Sequence, residues 1–210
     1  STVLPRFWLP LVDYSDQAGT SVMALTLGTD VLLRHSYRAA GLYRFQVNRG
    51  GGYLLYENDV LYPSIVTQAL VLPFPSYTYK DPYGKDVLQW ETETGGSMNI
   101  SFPLLYFRSS HSASIGYSYR VLTRITPVPG YLLNPPEEGR FAGLTVGYKY
   151  TNALRFPLSI SQEDGRSFSL SYELISRGMG SDFETQRLIG DYREYVSLHL
   201  SRPRHVLGIR

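Results

Sequence analysis

The chain has 210 residues, of which 43% are hydrophobic and 18% are charged; it contains no cysteine, and its formal net charge is +2. This composition suits one folded domain and excludes both a disordered chain and a small disulfide-stapled one. Basic residues alternate with acidic ones instead of forming a stripe, which argues against a nucleic-acid partner. Tyrosine and glycine are plentiful and lysine is scarce, so the composition favours β structure over helix.

Segments that alternate with a period of two, typical of β-strands, recur along the chain. In the first, residues 21–28, large apolar side chains occupy the odd positions and small residues occupy the even ones. The same alternation predicts strands at 36–47, 87–93, 98–102, 113–124, 142–150, 167–174 and, more weakly, 188–193. Each strand with its connection takes roughly 20 residues, which gives about ten strands in all.

The connections are predicted from clusters of glycine, proline and small polar residues. Tight glycine turns are expected at 48–52 and 94–96, and long surface loops at 73–86 and 126–139. A shorter loop is expected at 178–184. We expect residues 1–17 to form a lead-in segment and residues 18–210 to form one β-domain.

Alternating strands fit two architectures that assign the two faces of the sheet oppositely. A soluble barrel buries its apolar face, whereas a membrane barrel turns that face to lipid and lines its lumen with polar residues. Here the polar positions carry Ser, Thr, Gly and isolated ions of both signs, and the whole chain has only three lysines. The apolar positions are rich in Tyr and Phe near the strand ends, as in a membrane interface. We therefore expect an antiparallel transmembrane β-barrel, with a soluble ligand-binding barrel as the alternative.

No apolar run exceeds about six residues, so the sequence predicts no membrane-spanning helix. The polar positions of the predicted strands define one charged set. Its members could pair across neighbouring strands and hold the barrel in shape, or they could line a polar conduit. The predicted lumen set is Arg38, Arg44, Glu91, Glu93, Arg120, Lys149, Glu173, Asp191 and Arg193.

Neither of the two His-Ser pairs, His35-Ser36 and His111-Ser112, can form a nucleophile and base, because adjacent strand residues point to opposite faces. His199 and His205 lack acidic or cysteine neighbours at ligand spacing, so no metal site is expected. The glycines at 50–52 precede no helix pattern and are not expected to hold a phosphate. The sequence thus predicts no catalytic residue, no metal and no cofactor.

A family resemblance is carried by residues 4–10, 28–30, 34–37, 159–167, 170–173, 180–183, 191–195 and 205–207. Together these stretches resemble the bacterial surface-antigen family, the barrel domain of BamA-type outer-membrane insertases and two-partner-secretion transporters. The likeness is greatest to members in which the barrel follows a TolB-like periplasmic propeller. The family's Arg-Gly-aromatic loop tip has no counterpart, because Gly139-Arg140-Phe141 has a different order and place.

The resemblance implies part of a sixteen-strand barrel in the bacterial outer membrane that acts in protein insertion or translocation without covalent chemistry. It also implies that an early strand, placed at 19–30, pairs weakly at the barrel seam and accepts a client strand. The expected partners are outer-membrane lipid and lipopolysaccharide, and other chains that complete the barrel or supply periplasmic domains. The alternative is a structural or conduit barrel subunit of a larger assembly.

Overall fold

The computed structural model describes residues 7–15, 19–127, 138–154, 164–198 and 205–209. These residues form eleven strands and two short 3-10 turns, at Phe45–Val47 and Arg177–Met179. The strands are β1 (Leu9–Ser15), β2 (Gly19–Thr29), β3 (His35–Arg44), β4 (Arg49–Asn58), β5 (Ser64–Lys80), β6 (Asp86–Leu105), β7 (Ser110–Arg124), β8 (Gly139–Thr151), β9 (Gly165–Ile175), β10 (Thr185–Leu198) and β11 (His205–Ile209).

All eleven strands belong to one antiparallel sheet in which each strand pairs with its neighbours in sequence. The predicted all-β antiparallel class is therefore confirmed, with eleven strands in place of about ten. Within the described residues β1 pairs with β2 alone and β11 with β10 alone, so the sheet is not closed into a barrel. Among the described residues, no helix has the length and apolar character needed to cross a membrane.

The glycine turn predicted at 94–96 is wrong, since these residues lie in the interior of β6. Consequently the strands predicted at 87–93 and 98–102 are one strand of 20 residues. A side chain has no room here: a Cβ atom on Gly96 would lie 2.8 Å from the carbonyl oxygen of Gln68 in β5. These glycines allow close approach of neighbouring backbones, which in sequence looks like a turn signal.

The turn predicted at 48–52 is shorter than expected and lies earlier in the chain. Phe45–Val47 forms it, and Asn48 closes it in the left-handed region with a φ of 51°. The three glycines that follow lie inside β4. The loop predicted at 73–86 is also wrong, because β5 and β6 continue as a hairpin as far as the pairing of Lys80 with Asp86.

The described part of the predicted lead-in, 1–17, contains strand β1, which pairs with β2 over its whole length from Leu9 to Ser15. Residues 1–6 and 16–18 lie outside the described residues, as do 128–137 of the predicted loop at 126–139. Residues 155–163 and 199–204 also lie outside them, which includes part of the motif at 159–167 and all of His199. The expected loop at 178–184 is confirmed, since β10 begins at Thr185.

Strand pairing assigns every strand residue to one of two faces, because paired residues and alternate residues of a strand share a side. We call the side that carries Arg120 and its register partners the charged face, and the opposite side, which carries Tyr117 and Tyr148, the aromatic face. The sheet also has two ends. The Leu32 end holds the connections 30–34, 59–63 and 106–109, and the Tyr83 end holds 45–48, 81–85 and 176–184.

Candidate functional site

All nine residues of the predicted lumen set lie on the charged face. Paired residues lie on the same face of a sheet. The pairings of β6 with β7, β7 with β8 and β8 with β9 therefore place Glu93 of β6 and Glu173 of β9 on the same face. The pairing of β9 with β10 continues the charged face on one side of these strands. The pairings of β3 with β4, β4 with β5 and β5 with β6 continue it on the other side. The alternation predicted in β3 and in β6 through β10 therefore places the predicted charged positions of these six strands on one side of the sheet; β4 and β5 were not predicted as strands.

Three ion pairs on this face involve members of the set. Arg120 lies 3.6 Å from Glu93 on the neighbouring strand, and Arg187 lies 2.7 Å from Glu173. Arg193 and Asp191 pair along β10 at 2.8 Å. Arg187 was missed by the sequence analysis, although it stands directly opposite Glu173 in the register. All three pairs keep solvent-exposed members, so each contributes little to stability by itself.

The charged face has a second, apolar sector that the sequence analysis did not predict. The large side chains of β2, Met23, Leu25 and Leu27, lie on the same side as Arg38 and Arg44. Further apolar residues of β1 and of β3 through β5 continue this sector: Leu9, Leu11, Leu42, Leu55, Leu70 and Leu72. From β6 to β10 the same face carries mainly serine, threonine, glycine and ions, so the face changes character at β5.

In β7 and β8 the apolar side chains of the aromatic face are more exposed than the small residues that alternate with them on the charged face. In β7, Ile115 and Tyr117 are each 42% exposed, whereas the intervening Ser114, Gly116 and Ser118 are half-buried. In β8, Val146 is 45% exposed and Thr145 is half-buried. A soluble sheet with one covered face shows the opposite arrangement.

A cluster of buried polar side chains lies where the β5–β6 hairpin leaves the sheet. Gln89 is fully buried and its Nε2 donates to the carbonyl oxygen of Thr126 at 2.6 Å. The Trp90 backbone N–H donates to the Thr126 hydroxyl at 3.0 Å. The amide oxygen Oε1 of Gln89 and the carboxylate oxygen Oε1 of Glu91 have no hydrogen-bond partner among the described residues. Sequence alternation alone offered no signal for this burial.

The hairpin folds over the Tyr83 end of the sheet. The guanidinium carbon of Arg44 lies 5.5 Å from the ring centre of Trp90, although two strands separate β3 from β6. A cavity of about 490 Å³ lies beside this contact, and Gln46, Asp81 and Asp86 are among the residues that line it. The lining is mixed in polarity and shows no convergent set of catalytic groups.

A second cavity, of about 290 Å³, lies on the charged face and brings together three predicted residues, Lys149, Asp191 and Arg193. Hydroxyl-bearing residues complete much of its wall: Thr151, Ser167, Ser169 and Tyr195. Its charge is that of two cations and one carboxylate. The remaining predicted residue, Arg38, lies on the same face beside Leu27 and Leu55, away from this cavity.

Both described histidine side chains bind tyrosines instead of the neighbouring serines. The Nδ1 of His35 lies 2.7 Å from the Tyr56 hydroxyl, and that of His111 lies 2.7 Å from the Tyr148 hydroxyl. Both pairs stand on the aromatic face near the Leu32 end. No group of three or more potential metal ligands occurs among the described side chains, which do not include that of His205.

No protein-family model matches the chain, and no curated protein matches it.

Proposed function

We propose that this chain forms the wall of an outer-membrane β-barrel of the BamA-like surface-antigen type, which takes part in protein insertion or translocation. The observation that carries the proposal is the inverted exposure of the sheet. In β7 and β8 the apolar and aromatic side chains of the aromatic face are more exposed than the small residues between them, and the nine predicted ions stand on the other face. In lipid this arrangement is favourable, because the exposed side then contacts hydrocarbon.

The aromatic residues near the strand ends support the same environment. His35, Tyr56 and Tyr148 cluster toward the Leu32 end, while Tyr43 and Phe45 stack edge to face at the Tyr83 end. Amphipathic rings at two levels, with aliphatic residues between them, are typical of the two interfaces of a bilayer.

The two sectors of the charged face support a role with polypeptide clients. An unfolded chain carries both polar and apolar side chains, and a wall with hydroxyls on one part and leucines on another offers weak contacts to both. A conduit for ions alone would not need Met23, Leu25 and Leu70 on its inner side. No covalent bond is made or broken in this scheme, because the wall acts on the client by contact and by hydrogen bonding.

The strand expected at the seam, 19–30, is not an edge of the described sheet. Gly19–Thr29 is strand β2, which is paired on both sides, by β1 and by β3. The edge strand at this side of the described sheet is β1, and its Val12 and Tyr14 are exposed. Client addition by main-chain hydrogen bonds would therefore take place at Leu9–Ser15.

Single-cysteine variants test the membrane assignment directly, because the chain has no cysteine of its own. Nitroxide labels at Ile115 and Ser114 would be compared in phospholipid vesicles by their access to oxygen and to an aqueous nickel reagent. We expect the Ile115 label to favour oxygen and the Ser114 label to favour nickel. Equal access to nickel at both positions would refute the lipid-facing assignment.

The insertion role has its own test. A photocrosslinking label at Val12 on β1 should capture a nascent outer-membrane protein, whereas a matched label at Met98, inside the sheet on β6, should not. Capture at both positions or at neither would count against client addition at this edge.

The two open edges support the second candidate, a structural or conduit subunit. Every strand edge must be paired within a bilayer, so β1 and β11 need each other or further strands, which another chain can supply. Mass measurement in mild detergent separates these cases, because a single-chain species argues against a shared barrel. Reversal of Arg120 to Glu adds a functional readout: a changed ion selectivity supports the conduit, and lost stability alone supports a structural role.

A further inference from the structure

Three consecutive turns at the Leu32 end each present three apolar residues to the outside. Val31, Leu33 and Phe107 are 77%, 70% and 98% exposed. These turns join β2 to β3, β4 to β5 and β6 to β7, so they stand side by side along the sheet. The three tips are Val31-Leu32-Leu33, Val60-Leu61-Tyr62 and Leu105-Tyr106-Phe107.

This composition is unusual for turns, which favour Gly, Asn, Asp, Ser and Pro. The turn from Asp81 to Lys85 at the Tyr83 end keeps the ordinary pattern, with Pro82 and Gly84 on either side of one exposed aromatic residue, Tyr83. The described turn at 45–48, also at the Tyr83 end, exposes one large apolar side chain, Phe45, beside Gln46. Among the described turns, runs of three exposed apolar residues therefore occur at the Leu32 end.

Local hydrogen bonds hold the apolar tips outward. The carboxylate of Asp30 accepts the backbone N–H groups of Arg34 at 2.6 Å and of His35 at 2.9 Å. In the next turn the side-chain oxygen of Asn58 accepts the Val60 N–H at 3.0 Å. The polar side chains thus turn toward their own backbone, and the apolar ones are left facing the surroundings.

Strand length places two of the three tips, Val31-Leu32-Leu33 and Val60-Leu61-Tyr62, at the edge of the proposed apolar band. Strands β2, β3 and β4 have 11, 10 and 10 residues. Ten residues at about 3.4 Å each, tilted by about 40°, rise roughly 26 Å, close to the ~25 Å height of the lipid-facing band. A tip that directly follows such a strand lies at the membrane boundary, not far out in water.

The continuity of the tips with the aromatic face favours a lipid over a protein partner. The flanking charges are mixed: Arg34 and Arg108 each follow a tip directly, where a guanidinium can meet anionic headgroups, and Asp30 and Asp59 each precede one. Tyr62 and Tyr106 supply rings of the kind that settle in an interface. The apolar surface also continues without a break onto the aromatic face through Leu104 and Phe102, which are themselves exposed.

We propose that the three tips are immersed in the lipid leaflet at the Leu32 end and set the depth of the sheet in the membrane. The proposal rests on the proposed membrane function and adds to it a definite contact between turns and anionic lipid. Immersion removes a large exposed apolar area from water, which is favourable in proportion to that area.

Nitroxide labels on single-cysteine variants Leu32→Cys, Phe107→Cys and Tyr83→Cys provide the test. They would be measured in vesicles of phosphatidylcholine with phosphatidylglycerol, with Ile115→Cys as the lipid-facing reference. We expect the labels at 32 and 107 to resemble the Ile115 label in low nickel access and the label at 83 to be freely accessible. Tyr83 is the matched control because it is as exposed as the tips but stands beyond the 17- and 20-residue strands of the long hairpin.

The outcomes separate this proposal from the one on which it rests. If the Ile115 label is in lipid while labels 32 and 107 are as accessible to nickel as label 83, the tips are not immersed and this inference fails alone. If the Ile115 label is itself aqueous, the membrane assignment fails. A second set, Phe107→Asp against Tyr83→Asp, should show weaker retention in vesicles for the first only; equal retention contradicts the proposal.

Discussion

Arg140 and Asp182 are joined through both the side chain and the backbone of the arginine. The guanidinium Nη2 lies 2.8 Å from Oδ1, and the Arg140 backbone N–H donates to Oδ2 at 2.8 Å. The Asp182 N–H returns a 2.8 Å bond to the Arg140 carbonyl oxygen. Phe141 stacks on Phe183 beside them, with ring centres 4.6 Å apart. This contact fastens the start of β8 to the connection between β9 and β10.

The Arg140 contact predicts an acid-sensitive step in stability. Hydrogen bonds from the Arg140 side chain and backbone lower the pKa of Asp182 below its ordinary value. A carboxyl with a lowered folded-state pKa adds stability that is complete above its unfolded pKa of about 3.9 and is lost as the pH falls through the folded value. We expect Asp182→Asn to be less stable at pH 7 and to lose less stability on acidification below about pH 4.

Thermal unfolding in detergent between neutral pH and strongly acidic pH measures this effect. Glu184→Gln is the matched control, because Glu184 is a nearby exposed carboxylate in the same connection. If both variants follow the wild-type pH profile, the carboxylate of Asp182 does not stabilise the fold in the way the contact implies.

The two faces of β8 predict opposite effects of a new arginine. Val146 on the aromatic face would place the charge in hydrocarbon, which costs roughly 2–4 kcal/mol near the bilayer centre. Thr145 on the charged face stands opposite Glu173, so an arginine there gains a partner. Unfolding in denaturant from lipid vesicles should show Val146→Arg strongly destabilised and Thr145→Arg close to wild type. Equal losses would mean that the two faces meet the same environment.

The alternation of the sequence was enough to place all nine residues of the predicted lumen set on one face, because a two-residue period survives any error in strand ends. It wrongly predicted turns at 48–52 and 94–96, since glycine serves close backbone approach as readily as a turn. The hairpin at 73–86 was missed for a related reason: prolines at 73 and 75 look like loop residues, yet they sit in a strand that bulges at this point. Periodicity within β2 likewise could not reveal which of its sides joins the charged face, because only pairing with β3 determines that.

The buried cluster at the base of the long hairpin predicts a specific role for one hydroxyl. Thr126 accepts the Trp90 backbone N–H through Oγ1, and Trp90 is almost fully buried. Thr126→Val keeps the shape but leaves that N–H without its acceptor, which costs about 1–3 kcal/mol. Trp90 fluorescence should shift to longer wavelength as the hairpin loosens. The control is Thr123→Val, at an exposed position of β7, which should leave both stability and fluorescence unchanged. A similar loss of stability in both variants would show that the hydroxyl of Thr126 has no special role.

Two glycines on the aromatic face predict very different tolerance of a methyl group. At Gly96 the new Cβ would meet the carbonyl oxygen of Gln68 at 2.8 Å, and the obstacle is backbone that cannot rotate away. At Gly41 nothing lies within 4 Å of the corresponding position. We expect Gly96→Ala to destabilise the sheet by about 1–3 kcal/mol, as overpacking does, and to loosen the pairing of β5 with β6. Gly41→Ala should be neutral or slightly stabilising, because alanine reduces the freedom of the unfolded chain. Hydrogen exchange of the β5 and β6 amides measures the difference between the two variants in strand pairing. Equal protection of these amides in both variants would show that β5 and β6 are not packed as closely as the geometry of Gly96 requires.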